Sequence, residues 1–301
     1  MMRRDVEFTS DGVTCRAWLF LPKGEGMSVP CIVMAHGFGA TRECRLEPYA
    51  IRFAEDGYAV LVFDYRHFGA SDGQPRQLLS VKSQLEDWQS AIDYARTAER
   101  VDPERIALWG SSFSGGHVIA AAVRDGRVVA VSSQCPMMDG RAASLAVLRD
   151  AGLGHTLLMG LHGALDLVRS AFGASPHTIP IVGPPGSIAA MSTEDAEPGY
   201  RAMSPSTLEN AVAARITLAL GSYRPGTLAD RLPCPVLIQI CEKDSVAPTA
   251  AAEAAAKLAG SRAEVKRYPI GHFAPYVGKD FELSVADQRA FFRRHLLKAT
   301  A

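Results

Sequence analysis

Residues 106–123 read Ile-Ala-Leu-Trp-Gly-Ser-Ser-Phe-Ser-Gly-Gly-His-Val-Ile-Ala-Ala-Ala-Val. An apolar run, a cluster of small residues and a second apolar run predict a strand, a sharp turn and a helix. Ser112 stands at the apex of that turn, with Gly110 two residues before it and Ser114 two residues after it. This pattern presents one hydroxyl at a helix N-terminus on the edge of a sheet, although Ser114 replaces the second glycine of G-x-S-x-G.

Strands and helices are predicted to alternate on both sides of this turn. Asp11-Gly12 separates two alternating segments and predicts a β-hairpin over residues 6–10 and 14–21. Short apolar runs predict buried strands, and amphipathic runs predict helices between them. The predicted strands are 30–35, 58–63, 106–109, 128–132, 235–240 and 263–268, and the predicted helices are 43–56, 80–98, 249–259 and 282–297. This alternation indicates a largely parallel sheet covered by helices on both faces.

The alternation stops between residues 137 and 230. This segment is rich in Ala, Leu, Gly, Met and Pro, and two or three helices are expected in it. We therefore predict an α/β core formed by residues 1–136 and 231–301, with residues 137–230 inserted as a helical cap. Spacings of three and four residues favour packing within the cap over a lipid-binding groove for Leu145, Leu148, Leu157, Leu161, Leu165 and Val168.

The bulk composition excludes several classes of function. The chain has 301 residues, 48% of them hydrophobic, and 32 basic side chains balance 32 acidic ones. Without a basic stripe, nucleic-acid and membrane-surface roles are disfavoured. The N-terminus lacks an apolar segment typical of a signal peptide, and no run is long enough to span a membrane.

Six cysteines without close pairs predict free buried thiols and a cytoplasmic location. No metal-ligand spacing or dinucleotide fingerprint is present, so neither a metal nor a cofactor is expected.

A serine nucleophile needs a base and an acid that orients the base. His272 directly follows the last predicted strand, at the sheet edge where parallel strands present their carboxyl ends, and is the predicted base. Asp244 follows the strand over residues 235–240 and is the predicted acid. Asp139, which follows the preceding strand, is the alternative acid and could reach the same histidine.

Backbone N–H groups are expected to stabilise the oxyanion. One is that of Phe113, immediately after the serine. The other is that of Phe38 in the sequence His36-Gly-Phe-Gly39, where glycines allow the backbone to approach a ligand closely.

The order Ser112, Asp244, His272 is that of α/β-hydrolases, and the chain resembles serine esterases of this superfamily. His36-Gly-Phe-Gly39 matches the oxyanion loop of the superfamily. Residues 64–73 resemble a second loop of the superfamily, which follows a strand and shapes the rim of the site. The resemblance is closest to dienelactone-hydrolase-like esterases and to polyketide acyltransferases and thioesterases. It implies an α/β-hydrolase fold with a mostly parallel, eight-stranded sheet.

The expected reaction is hydrolysis of a small-molecule ester or thioester with a modest apolar acyl group. Transfer of a polyketide-like acyl group to an alcohol or amine is the first alternative, because the same three side chains serve both reactions. A non-catalytic binding protein on a hydrolase scaffold is the second, and a peptidase also stays open. Met137 and Met138 are predicted to contact substrate where the cap begins. A homo-oligomer is neither indicated nor excluded.

Overall fold

The computed structural model describes residues 1–24 and 26–297. The described residues form ten strands: β1 (Met2–Ser10), β2 (Val13–Leu21), β3 (Val29–Ala35), β4 (Ala59–Phe63), β5 (Val101–Ser111), β6 (Ala130–Gln134), β7 (Thr178–Ile179), β8 (Val212–Ala213), β9 (Val236–Cys241) and β10 (Ala263–Tyr268). Eight of them form one sheet in the order β1-β2-β4-β3-β5-β6-β9-β10. β1 and β2 pair antiparallel, as do β2 and β4, and the remaining neighbours are parallel. The predicted mostly parallel, eight-stranded α/β fold is confirmed.

Helices flank this sheet and bury its central strands. The helices that do so are α1 (Leu46–Glu55), α2 (Val81–Thr97), α3 (Phe113–Asp125), α7 (Thr249–Ala259) and α8 (Gly278–Leu296), while α4 (Gly140–Ala171), α5 (Ala196–Met203) and α6 (Ile216–Ala219) lie in residues 137–230. α1 packs against α8, with the rings of Phe53 and Phe292 5.3 Å apart, and α2 packs against α3. Every residue of β4 is buried, which explains why its sequence is apolar without alternation.

Helix α1 begins three residues later than the sequence predicts. The amide of Cys44 donates to the carbonyl of Thr41 in a turn, and Arg45 has a φ of 63°. This left-handed residue is incompatible with a continuing helix, so the helix begins at Leu46.

Residues 137–230 contain α4, α5, α6 and a small antiparallel pair formed by β7 and β8. Helix α4 is kinked at Gly152, whose φ of 83° and ψ of 170° lie outside the helical region. The division into core and cap stays a prediction. The prediction that the leucines of α4 pack within the chain was wrong, because the outward side chains of this helix are exposed, Leu161 to 66%.

No helix in the described part of the chain combines the length and apolar character needed to cross a lipid bilayer.

Candidate active site

Ser112 lies between the end of β5 and the start of α3, in a backbone conformation that few non-glycine residues adopt. Its φ is 57° and its ψ is −120°. The turn is so tight that a Cβ at Gly110 would lie 2.3 Å from the carbonyl oxygen of Ser114. Strain of this kind persists only where the surrounding structure imposes it, and it is concentrated at functional sites.

His272 bridges Ser112 and Asp244. Its Nε2 lies 3.0 Å from Oγ of Ser112, and its Nδ1 lies 2.6 Å from Oδ2 of Asp244. Because the carboxylate can only accept, Nδ1 carries the proton in the neutral ring, and the Ser112 hydroxyl donates to Nε2. The structure thus brings the three predicted side chains into one hydrogen-bonded chain.

The loop that follows β9 fixes the orientation of Asp244. Its Oδ1 accepts hydrogen bonds from the amides of Val246 at 2.8 Å and Ala247 at 2.7 Å, which leaves Oδ2 for His272. The amide of Lys243 donates to the carbonyl of Ile270 and ties this loop to the one that carries His272. Neighbouring parallel strands β9 and β10 therefore deliver the acid and the base to the same sheet edge.

Asp139, the alternative acid, is occupied elsewhere. Its Oδ1 accepts from the amides of Arg141 and Ala142 at the start of α4, and its Oδ2 accepts from Arg224 Nε at 2.9 Å. It therefore acts as a helix N-cap, a common role for an aspartate at this position.

Two opposing effects act on the pKa of His272. Burial disfavours the charged imidazolium, since only 1% of the residue is exposed. The Asp244 carboxylate opposes burial by charge and by hydrogen bonding, and Cys135 and Asp195 act in the same direction, so that the pKa of His272 is raised to about 9. The arrangement therefore stabilises the protonated ring that a proton transfer from Ser112 would create.

The amides of Phe38 and Phe113 lie on two backbone segments, the loop after β3 and the turn at Ser112, that come close to each other. A Cβ at Gly37 would lie 2.8 Å from Cβ of Ser112 and 3.2 Å from the nitrogen of Phe113, so the two segments nearly touch. The Gly37 amide is used by Nδ1 of His36 at 2.7 Å, which leaves Phe38 as the next amide of the loop. The Phe113 amide belongs to the first turn of α3, where N–H groups lack helical partners.

His36 holds the loop as a neutral ring. Its Nε2 donates to the carbonyl of Cys44 at 2.9 Å, and the ring stacks on Tyr276 with the ring centres 5.2 Å apart. Burial lowers the pKa of His36 to about 3, so the ring stays uncharged beside the site.

A cavity of about 10 Å³, room for little more than one water molecule, lies against Ser112. Its apolar wall comes from the loop after β3, from the 137–230 segment and from the loop after His272, and comprises Phe38, Ala40, Met191, Tyr200, Met203 and Phe273. Met137 and Met138 are buried but are absent from this wall. Their predicted contact with substrate stays a prediction.

Sequence reasoning missed Met191, Met203 and Asp195. Asp195 lies over the loop of the acid, where its Oδ1 accepts from Ser245 Oγ at 2.5 Å. Met191 lies in irregular structure, and Asp195 and Met203 stand at the two ends of the short helix α5. In this part of the chain neither periodicity nor a motif marks which side chains face Ser112.

No three His, Cys, Asp or Glu side chains among the described residues are grouped closely enough to hold a metal ion.

Comparison with known proteins places this geometry in a family. The model of the X-Pro dipeptidyl-peptidase (S15) family matches residues 11–159. The quorum-quenching protein AidA of Acinetobacter baumannii (strain MDR-ZJ06) is 48% identical over 292 residues, which cover 96% of this chain and 94% of that protein. Thiohydrolase aneE of Aspergillus aculeatus is 42% identical over 136 residues, 45% of this chain and 42% of that protein.

A solved structure shows the same fold over nearly the whole chain. The α/β-hydrolase GrgF from Penicillium sp. sh18 has a TM-score of 0.82 at 28% identity, with 98% of this chain and 99% of that chain covered. The names of the thiohydrolase and of this hydrolase are those of enzymes, which argues against a non-catalytic scaffold. The chain belongs to the α/β-hydrolase superfamily and is a serine hydrolase or acyltransferase.

Proposed function

We propose that this protein hydrolyses a small-molecule ester or thioester with a modest apolar acyl group, through an acyl-enzyme on Ser112. The observation that carries the proposal is the position of His272, within hydrogen-bond distance of both Ser112 Oγ and Asp244 Oδ2. A serine hydroxyl is unreactive by itself and becomes a nucleophile when such a base removes its proton.

In the first half of the reaction, Oγ of Ser112 attacks the acyl carbon while its proton passes to Nε2 of His272. The amides of Phe38 and Phe113 donate to the oxygen that becomes negatively charged. The tetrahedral intermediate then collapses: the bond from carbon to the leaving oxygen or sulfur breaks, and Nε2 returns the proton to the leaving group. Asp244 stays ionised and holds the ring in position.

In the second half, water takes the place of the leaving group. It gives one proton to Nε2 of His272 and attacks the acyl carbon. The bond from that carbon to Oγ of Ser112 then breaks, Nε2 returns the proton to Oγ, and the carboxylic acid leaves. The same chain of hydrogen bonds therefore serves both halves.

The cavity supports an apolar acyl group of limited size. Its wall places Met191, Met203 and Phe273 beside Ser112. These apolar side chains must move aside to admit an acyl group, which favours a short chain or a single ring over a long lipid. The site of acyl binding would then be formed largely by the 137–230 segment.

Acyl transfer is the second candidate, and the enclosure of the site favours it. Only 9% of Ser112 and 1% of His272 are exposed, so few water molecules reach the acyl-enzyme. An alcohol or amine bound under residues 137–230 would then compete with water. The partition of product between water and added alcohol separates the two reactions, because water as the dominant acceptor at every alcohol concentration would remove the transferase.

The name of the 48% identical relative adds a substrate class to be tested. A protein that quenches quorum sensing removes a diffusible signal, and a signal with an ester or a cyclic ester would be cleaved by the steps above. Cyclic esters therefore belong in the panel beside linear esters and thioesters graded by acyl size.

A fluorophosphonate probe tests the nucleophile. The wild-type chain is expected to be labelled, as is Ser28→Ala, which changes an exposed serine at the end of β3 opposite the oxyanion loop, whereas Ser112→Ala is not. Turnover of the best ester in Ser112→Ala is expected to fall by at least about 10³-fold. Equal labelling of Ser112→Ala and wild type would overturn the assignment.

A further inference from the structure

Helix α4 turns an apolar face away from the rest of the chain. Beyond the kink at Gly152, eight large apolar side chains on it and directly after it are 41% to 85% exposed: Leu153, Leu157, Leu158, Leu161, Leu165, Leu167, Val168 and Phe172. Six of them recur at spacings of three and four residues, which on a helix of 3.6 residues per turn keeps them within about one third of its circumference. We call this set of eight side chains the outer face.

The opposite side of the helix is held firmly. Asp166 is fully buried and accepts two hydrogen bonds from the guanidinium of Arg215, at 2.6 and 3.0 Å. Thr217 Oγ1 donates to the carbonyl of Met159, and a Cβ at Gly163 would lie 2.6 Å from Thr217 Oγ1. The outer face therefore cannot turn inward without breaking a buried ion pair.

The outer face is larger than a free surface normally tolerates. At these exposed fractions its side chains present on the order of 800 Å² of mostly apolar area. The largest apolar patch of a monomer is typically about 300–600 Å², whereas each partner of a standard interface contributes about 800 Å².

Charge distinguishes between a protein and a membrane as the occupant. Helices that lie on anionic membranes carry Lys and Arg beside their apolar face. Between Asp150 and Asp166 the sequence has no Lys, Arg, Asp or Glu, and Arg169, which follows Val168, donates to the carbonyl and hydroxyl of Ser175. Gly154 and Gly160, where an added Cβ would meet no atom within 4 Å, leave room for another helix to approach.

We propose that the outer face of α4 is the interface through which two copies of this chain form a two-fold symmetric dimer. The face is self-complementary, since an apolar ridge with small residues beside it packs against an identical one when two helices cross on a two-fold axis. Helix α4 begins three residues after Met137, whose amide donates to the carbonyl of Ser112. The dimer would therefore brace the segment that encloses the site.

Sedimentation or light scattering on the full chain tests the proposal. The wild type is expected at twice the 32.3 kDa of one chain at micromolar concentration. Leu157→Glu with Leu161→Glu is expected to raise the dissociation constant by about 30-fold or more, because a charge would be buried at the centre of the interface. Leu283→Glu, which changes a 52% exposed leucine outside α4, should leave the mass unchanged.

Disulfide crosslinking tests the proposal through the appearance of a covalent dimer and not through the loss of dimerisation. Leu161→Cys, near the middle of the outer face, is expected to form a disulfide-linked dimer on mild oxidation, while Leu283→Cys stays monomeric on the same gel. The native cysteines are buried and should not interfere. A monomeric wild type, or an unchanged mass in the double variant, would overturn the proposal. Flotation of a monomeric wild type with phosphatidylcholine or phosphatidylglycerol vesicles would assign the face to a membrane instead.

Discussion

The hydroxyl of Tyr65 lies 2.9 Å from Oγ of Ser114, inside the turn that presents Ser112. Ser114 is fully buried where G-x-S-x-G has its second glycine, and Trp88 Nε1 donates to the Tyr65 oxygen at 2.8 Å. The extra polar atom of Ser114 is therefore satisfied by a residue from the loop after β4. A serine is accommodated at this position because a partner for its hydroxyl is built into the adjacent loop.

Removing that hydroxyl should weaken the fold and leave the chemistry intact. Ser114→Ala deprives Tyr65 of one partner, and the free energy of unfolding is expected to fall by about 0.5–1.5 kcal/mol. Denaturant unfolding measures this, with Ser28→Ala as the control that should not move. Loss of fluorophosphonate labelling in folded Ser114→Ala would mean that its hydroxyl acts on Ser112 directly.

Replacing each of the two candidate acids by asparagine should show which of them acts on His272. In Asp244→Asn the amide oxygen keeps the bonds from Val246 and Ala247, so its NH₂ group faces Nδ1 and imposes the wrong tautomer on His272. A fall of about 10³–10⁴-fold in kcat is expected. Asp139→Asn keeps an acceptor for the amides of α4 and should retain kcat within about twofold. The reverse result would move the acid to Asp139.

The pH dependence of kcat/KM should shift when the negative charge of Asp244 is removed. The base is the neutral ring, so kcat/KM rises with pH as His272 loses its proton. Because the pKa of His272 is raised, the ascending limb is expected above the ordinary value of 6.5 and at or below about 9. Without the carboxylate, burial lowers the pKa, and the residual activity of Asp244→Asn should rise at lower pH than in the wild type. A limb at the same pH in both proteins would assign it to another group.

The sequence was sufficient for the parts of the site that local rules determine. Ser112 and Asp244 each follow a largely apolar stretch of strand, and His272 follows β10, which carries three charged residues among its six. Parallel strands bring their carboxyl ends to one edge of the sheet whatever the rest of the chain does. The glycines around Phe38 and Ser112 also predicted a close approach of two backbone segments, because such an approach leaves no room for side chains.

The side chains that line the cavity, and the exposure of the apolar face of α4, could not be predicted in this way. Met191 and Met203 face Ser112 only because the 137–230 segment folds back over the sheet edge, a tertiary arrangement that no local period encodes. The spacing of Leu157 and Leu161 predicts an amphipathic helix, but it does not say whether the surface that covers them belongs to the same chain. Among residues 1–24 and 26–297, none supplies a surface that covers these leucines of α4.

The close approach of Gly37 to Ser112 should make this glycine intolerant of any side chain. In Gly37→Ala the new Cβ would lie 2.9 Å from the carbonyl oxygen of Ser111, which as backbone cannot move aside. The loop that carries the Phe38 amide would shift, and kcat is expected to fall by at least about 10²-fold with a smaller change in KM. Gly221→Ala, whose Cβ would meet only Ser144 Oγ at an ordinary contact distance of 3.5 Å, is the matched control and should keep full activity.

The acyl preference should depend on Met203. This side chain is 4% exposed and lines the cavity beside Ser112, so Met203→Ala opens space for a longer acyl group. Each additional methylene buried there contributes about 0.8 kcal/mol, or a factor of about four in kcat/KM. The ratio of kcat/KM between a longer and a shorter ester is therefore expected to rise. Because this ratio compares two substrates of one variant, it is insensitive to loss of active protein.

Met138→Ala is the control, since Met138 is buried and lies away from the cavity wall. This variant should lose about 2–5 kcal/mol of stability without a change in the ratio. A changed ratio in Met138→Ala and an unchanged one in Met203→Ala would move the acyl pocket to the start of α4, where the sequence had predicted it.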